Sequence, residues 1–256
     1  RTLLKQIRNL TGHTQSVNRM AWSPDNKTLA TSSHDYTVRL WNMTAKEPPV
    51  VLSGPTDWVT SVTWSPDGRA LAAGSGDSKI WLWNTETAQI IKAFKAHTRT
   101  IFSVAWSPEG HMLASASSDT SVALWHIPTL RLVTMLQGHS GAVYRLVWAP
   151  SGRELASCSE DGTVRIWDVQ SGNLKRILQG HTGPVFDLAW SPDGRILASA
   201  SHDMTIRLWG RQVGVLEGHT GVVNSLSFSY DGHFLASKSL DHTVRVWRCD
   251  TWETVE

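Results

Sequence analysis

The chain has 256 residues, 41% of them apolar and 18% charged, with a formal net charge of +2. That balance excludes a disordered segment, and with no Lys/Arg run reaching five it gives no electrostatic footprint for nucleic acid. Cys158 and Cys249 have no CxxC partner, which argues against a zinc site or disulfide framework, and no apolar run approaches the roughly 18 residues of a membrane span.

No signal peptide is visible, so the expected location is cytoplasmic. The chain begins at Arg1, not methionine, and reads as cut from, or processed out of, something longer. Residues 3–10, LLKQIRNL, precede the first Gly-His pair and so occupy the place of a fourth strand, with no first three strands before them. From residue 12 onward the chain repeats. Approximate units are 12–53, 54–95, 96–137, 138–179, 180–217 and 218–256, preceded by the strand-like segment 1–11, all in a single domain. Five units open on a histidine, in TGHTQSV, KAHTRTI, QGHSGAV, QGHTGPV and EGHTGVV; the second opens on GPTDWVT, with Pro55 in the histidine's place.

Within a unit an alternating run such as VFDLAW is a first strand, and SPDG, SPEG or PSG is a tight turn. RILASAS is a second strand and HDMT a turn anchored by an aspartate. TIRLW is a third strand, β-branched and apolar, and a looser run such as NLKRILQ is the fourth. Trp41, Trp83, Trp125, Trp167 and Trp209 recur every 42 residues, with Trp247 arriving 38 later. Trp22, Trp64, Trp106, Trp148 and Trp190 keep the same step, with Phe228 as the sixth member. A period near 40–45 residues is the signature of propeller blades. Four short antiparallel strands cannot bury both faces alone, whereas blades packed around an axis can.

The Gly-His pairs, the SxDxTVRLW segments and the period resemble the WD40-repeat β-propeller family over about 95% of the chain. The resemblance implies an all-β fold: six four-stranded antiparallel blades around a central channel, closed by the N-terminal strand, with closure by the tail TWETVE and a fragment of a longer array as the alternatives. The closing dipeptide of the family survives only as Trp167-Asp168, and the last spacing is short in WGRQVGVLEGH.

The resemblance implies a polar relay in each complete blade. A turn aspartate meets the Gly-His histidine, the histidine meets a strand hydroxyl, and the hydroxyl meets a tryptophan indole. The members are His13, Thr31, Asp35 and Trp41; His97, Ser115, Asp119 and Trp125; His139, Ser157, Asp161 and Trp167; His181, Ser199, Asp203 and Trp209; and His219, Ser237, Asp241 and Trp247. The sequence supplies an internal check. Blade two has Asp77 but lacks the histidine (Pro55) and also the hydroxyl (Ala73), as a hydrogen bond between the two would require. Repetition with an indole partner makes these sets structural, not nucleophilic triads. No GxGxxG, P-loop or HExxH is present. His34, His111, His126, His202, His233 and His242 lack ligand spacing, so no catalytic residue, cofactor or metal is expected.

Propeller loops vary cheaply on a rigid scaffold and carry binding. The resemblance places partner contacts three and five residues after the Gly-His histidine and one before the turn aspartate. These are Ser16, Asn18 and His34; Trp58, Thr60 and Gly76; Thr100, Phe102 and Ser118; Ala142, Tyr144 and Glu160; Pro184, Phe186 and His202; and Val222, Asn224 and Leu240. Trp58, Phe102, Tyr144 and Phe186 thus form an aromatic crescent over four consecutive blades. Two readings of blade two follow. Either its relay gave way to a binding surface at Trp58, or it decayed and Trp58 folds down over the gap. Trp81, where other blades carry Arg39, Arg165, Arg207 and Arg245 and blade three carries Ala123, reads as packing, and the arginines as partners of neighbouring acids.

The expected function is a monomeric, non-catalytic scaffold that binds a protein or peptide segment on its top face, without nucleic acid or membrane. The alternative is a regulatory or sensor module of a larger protein, such as a bacterial kinase or NTPase.

Overall fold

Alternation is what makes each repeat a sheet: in Val185–Trp190, VFDLAW, Val185, Asp187 and Leu188 are buried while their neighbours are only partly covered. The computed structural model describes residues 8–210 and 214–255. Each repeat forms one antiparallel sheet with its strands in chain order, and the sheets form a six-bladed β-propeller. The inner strands are Val17–Trp22, Val59–Trp64, Ile101–Trp106, Val143–Trp148, Val185–Trp190 and Val223–Phe228.

The first five blades have four strands. The sixth has three, and the C-terminal tail lies where the fourth would run. Thr254 bridges Trp247, and the Val255 amide donates to the Val246 carbonyl at 2.8 Å. The closing strand expected over residues 3–10 lies largely outside the described residues; Arg8–Leu10 hold no strand. Arg8 instead donates to the Asn42 and Ala45 carbonyls of blade one, both at 2.8 Å.

The core is divided among blade junctions. One apolar cluster joins blades one and two through Ala30, Leu40, Val59 and Val62. Others join two to three, three to four, four to five and five to six. Burying a Val or Leu fully is worth about 1.5–3 kcal/mol, so these junctions carry most of the apolar stabilisation. Among the described residues no cluster joins blade six to blade one. The only helix there is the single 3-10 turn Ile127–Thr129, and no helix is long and apolar enough to cross a membrane.

Candidate functional site on the upper face

Every inner strand carries a bulge at its second residue. Val185 pairs with Ser201 and Asp187 with Ala200, leaving Phe186 without an opposite number. The same irregularity falls at Asn18, Thr60, Phe102, Tyr144 and Asn224. A bulged residue is turned out of the ladder and re-aimed. Here it is aimed at the channel mouth, because these six residues together line one cavity of about 960 Å³.

Three of the four crescent aromatics touch in sequence. Phe102 and Tyr144 have ring centroids 5.4 Å apart, and Tyr144 and Phe186 5.2 Å. Trp58 is 47% exposed and packs across the blade junction on His34, with ring centroids 4.7 Å apart. It does not fold down over Ala73. Burial, then the nearby Glu160 carboxylate, raises the Tyr144 phenol above its usual value, so its hydroxyl keeps its proton. His202, Val222 and Leu240 also line the cavity, whereas Thr100, Glu160, Ser16, Gly76, Ser118, Ala142 and Pro184 do not. The Glu160 carboxylate accepts from the Ala142 amide at 3.3 Å and so is spent on its own turn. A side chain at Gly76 would meet the Asp57 carboxylate, so that glycine serves its own loop.

Below the crescent, Arg19 and Arg145 flank the buried Asp187. Asp187 Oδ1 lies 3.1 Å from Arg145 Nε and 3.7 Å from Arg19 Nη2, and Oδ2 accepts the Leu226 amide at 2.9 Å. Two cations against one carboxylate leave the channel with a net positive charge. Burial and the neighbouring Arg145 charge both lower Arg19, and Asp187 partly offsets them. Sequence reasoning missed Val17, Arg19, Met20, Ser225, Ser227 and Lys238, all of which line the cavity. The available signal was the inner strand's third position, serine in three blades but Arg19, Arg145 and Asp187 in the others.

The rim rests on the relays. In blade five Trp209 Nε1–H donates to Ser199 Oγ, the Ser199 hydroxyl donates to His181 Nε2, and His181 Nδ1–H donates to Asp203 Oδ2, all at 2.8 Å. This assignment gives each proton one acceptor. The Thr182 amide and the Thr205 hydroxyl also donate to Asp203. Burial opposes its ionisation, but the bonds from Thr205, His181 and Thr182 win and hold it at about 2. Desolvation lowers His181 despite Asp203, so the ring stays neutral. The same chain runs through His13, Thr31, Asp35 and Trp41, through His97, Ser115, Asp119 and Trp125, through His139, Ser157, Asp161 and Trp167, and through His219, Ser237, Asp241 and Trp247.

Blade two closes its gap differently: Trp81 is packed in the core, as its sequence position suggests, and also takes a polar role. Its indole N–H donates to Asp77 Oδ2 at 3.1 Å, the service histidine performs elsewhere, and its ring stacks on Trp83 at 6.2 Å and 19°. The arginines at this position are likewise not partners of acids: their Nε atoms are buried without a hydrogen bond, and no ion pair reaches them among the described residues. They lie under the glycine of the Gly-His pair, where a Cβ at Gly12 would stand 2.5 Å from Arg39 Nη1. Blade three, with Ala123 in place of arginine, has Ala96 in place of that glycine.

Among the described residues no group of three or more His, Cys, Asp or Glu side chains is placed to hold a metal. The chain matches the family model described as IFT122 first beta-propeller over residues 58–210, more than half its length. It matches the model described as WD domain, G-beta repeat over residues 4–42 and 210–248. No curated protein matches it.

Proposed function

The chain belongs to the WD40-repeat β-propeller family, whose propellers generally serve as protein-interaction scaffolds, and from that premise we propose that its upper face docks a peptide segment without catalysing a reaction. The observation that carries this reading is the aromatic wall. Phe102, Tyr144 and Phe186 touch in series, Trp58 stands on His34, and all line one open cavity. Aromatic anchors supply large contact area at low entropic cost and dominate binding hot spots. The positive channel beneath them favours a segment that also carries an acidic residue able to reach Arg19. The proposed setting is the cytoplasm, with the propeller a monomer and nucleic acid not a ligand.

Peptide display on the immobilised chain tests this. Selected peptides should be apolar or aromatic with an acidic residue, and the Trp58→Ala/Phe102→Ala variant should bind them at least about tenfold more weakly. Peptides that bind both proteins equally would contradict the assignment of this face.

A further inference from the structure

The second tryptophan series, which the docking face leaves unused, gathers at the other end of the channel. Trp64, Trp106, Trp148 and Trp190 close the inner strands of blades two to five, four residues beyond the bulged positions of the rim. At about 3.3 Å per residue they stand about 13 Å below it. Together with the exposed prolines of the turns that follow, such as Pro66 and Pro108, they line a second cavity of about 590 Å³. The Trp64 and Trp148 indoles donate to the Ala21 and Ala105 carbonyls of the preceding blades, at 3.0 and 2.9 Å, which fixes the planes of these two rings.

Among the described residues that line this lower cavity the only charged ones are Arg19 and Arg145, and no carboxylate is with them. Arg145 lines this cavity and not the upper one. Its Nε lies 3.1 Å from Asp187 Oδ1 without hydrogen-bond geometry, and among the described residues its guanidinium donates no hydrogen bond. The Arg145 side chain is 26% exposed, so unspent donors are open to a ligand. Asp187 cannot neutralise the site, because it is buried, accepts the Leu226 amide and also faces Arg19 of blade one at 3.7 Å. A bridge of three charged side chains therefore crosses the channel from blade one to blades four and five. It floors the lower cavity and carries one positive charge in excess.

We propose that the lower mouth of the channel is a second binding site, separate from the aromatic rim, which takes the C-terminal end of a polypeptide whose last residues are apolar. The α-carboxylate accepts two N–H donors of Arg145, and the terminal side chains pack on the tryptophan collar. Charge selects a carboxylate, since a guanidinium with free donors binds one bidentately. The collar selects apolar or aromatic side chains beside it. Depth selects a chain end. Arg145 stands three residues above Trp148 on the same strand, about 10 Å inside the mouth. An Asp or Glu side chain on a segment lying across the mouth falls short of that, and a segment entering along the axis cannot thread past the bridge. A chain end can enter and stop there.

The test is display of random peptides with a free C-terminus on the immobilised chain. A selected peptide is then made with a fluorophore at its N-terminus in three forms: the free acid, the C-terminal amide, and the amide with an internal aspartate. Fluorescence anisotropy should show the acid binding at least about tenfold more tightly than either amide. Arg145→Met should abolish that preference, and Trp58→Ala should leave it intact, which separates this site from the upper face. Equal binding of acid and amide would overturn the proposal. So would an internal aspartate that restores full affinity, a preference that survives Arg145→Met, a loss on Trp58→Ala, or a display that selects no peptide. Should Arg145→Met not fold, Arg145→Lys decides. Lysine keeps a charge against Asp187 but lacks the planar fork, so the ratio of acid to amide affinity should fall several-fold. An unchanged ratio in the folded Arg145→Lys chain would remove Arg145 from the site.

Discussion

Blade five and blade two hold the same turn aspartate in two ways. Blade five uses a four-member chain in which a neutral histidine links Asp203 to Ser199 and Trp209. Blade two discards histidine and hydroxyl together and reaches Asp77 directly from a tryptophan on its third strand. Both arrangements satisfy the aspartate beneath a rim whose inner strand carries the same bulge. The difference teaches that the rim depends on a satisfied carboxylate and a filled gap, not on the histidine itself. Trp58 is not the residue that closes the gap in blade two, since the Trp81 indole reaches Asp77 there.

The comparison can be broken most severely at Trp81. Alanine there removes a buried aromatic and leaves Asp77 without its indole donor, at a cost of about 3–5 kcal/mol in urea unfolding. A loss under about 1 kcal/mol would mean that Trp81 fills no gap. His181→Ala comes next: Ser199 and Asp203 lose their partner and stability falls by about 1–3 kcal/mol. Equal loss on mutating Pro55 would contradict the assignment, because no relay runs through Pro55.

Acid should separate the two blades. Burial holds His97, His139 and His181 below the usual imidazole range. A lowered histidine stabilises the fold above its unfolded value of about 6.5, and that stability drains away as pH falls below it. Asp119, Asp161 and Asp203, held at about 2, add a second loss as pH falls from about 4 toward 2. Blade two contributes no histidine to the first loss. Hydrogen exchange near pH 5.5 should therefore open strands of blade five before those of blade two; uniform opening would argue against local relays. The smallest effect is expected at Pro55→Ala, about 0.4–1 kcal/mol from the freer unfolded chain.

The period and the Gly-His pairs made the blade legible because each strand needs its own turn and apolar face. The relay was legible because its members vanish together in blade two. The role of Trp81 was not, since a tryptophan in a β-strand reads as core; the missed signal is that histidine, hydroxyl and arginine are all replaced in one blade. The exposure of Val17 was not legible either. Val17 and Val59 stand in the same local pattern, and only the neighbouring blade decides which is buried. Among the rim positions, Glu160 is spent on the Ala142 amide and Thr100 lies off the cavity. The channel residues Arg19, Arg145 and Asp187 belong to strand positions that the loop-based reading passed over.

The most direct measurement takes Trp58→Ala alone and reads two quantities on the same protein: affinity for a display-selected peptide, and the urea midpoint. Trp58 as a docking anchor predicts affinity reduced at least about tenfold with stability held within about 0.5 kcal/mol. A midpoint that falls while peptide affinity stays unchanged would make Trp58 a structural cap of blade two and remove it from the docking face.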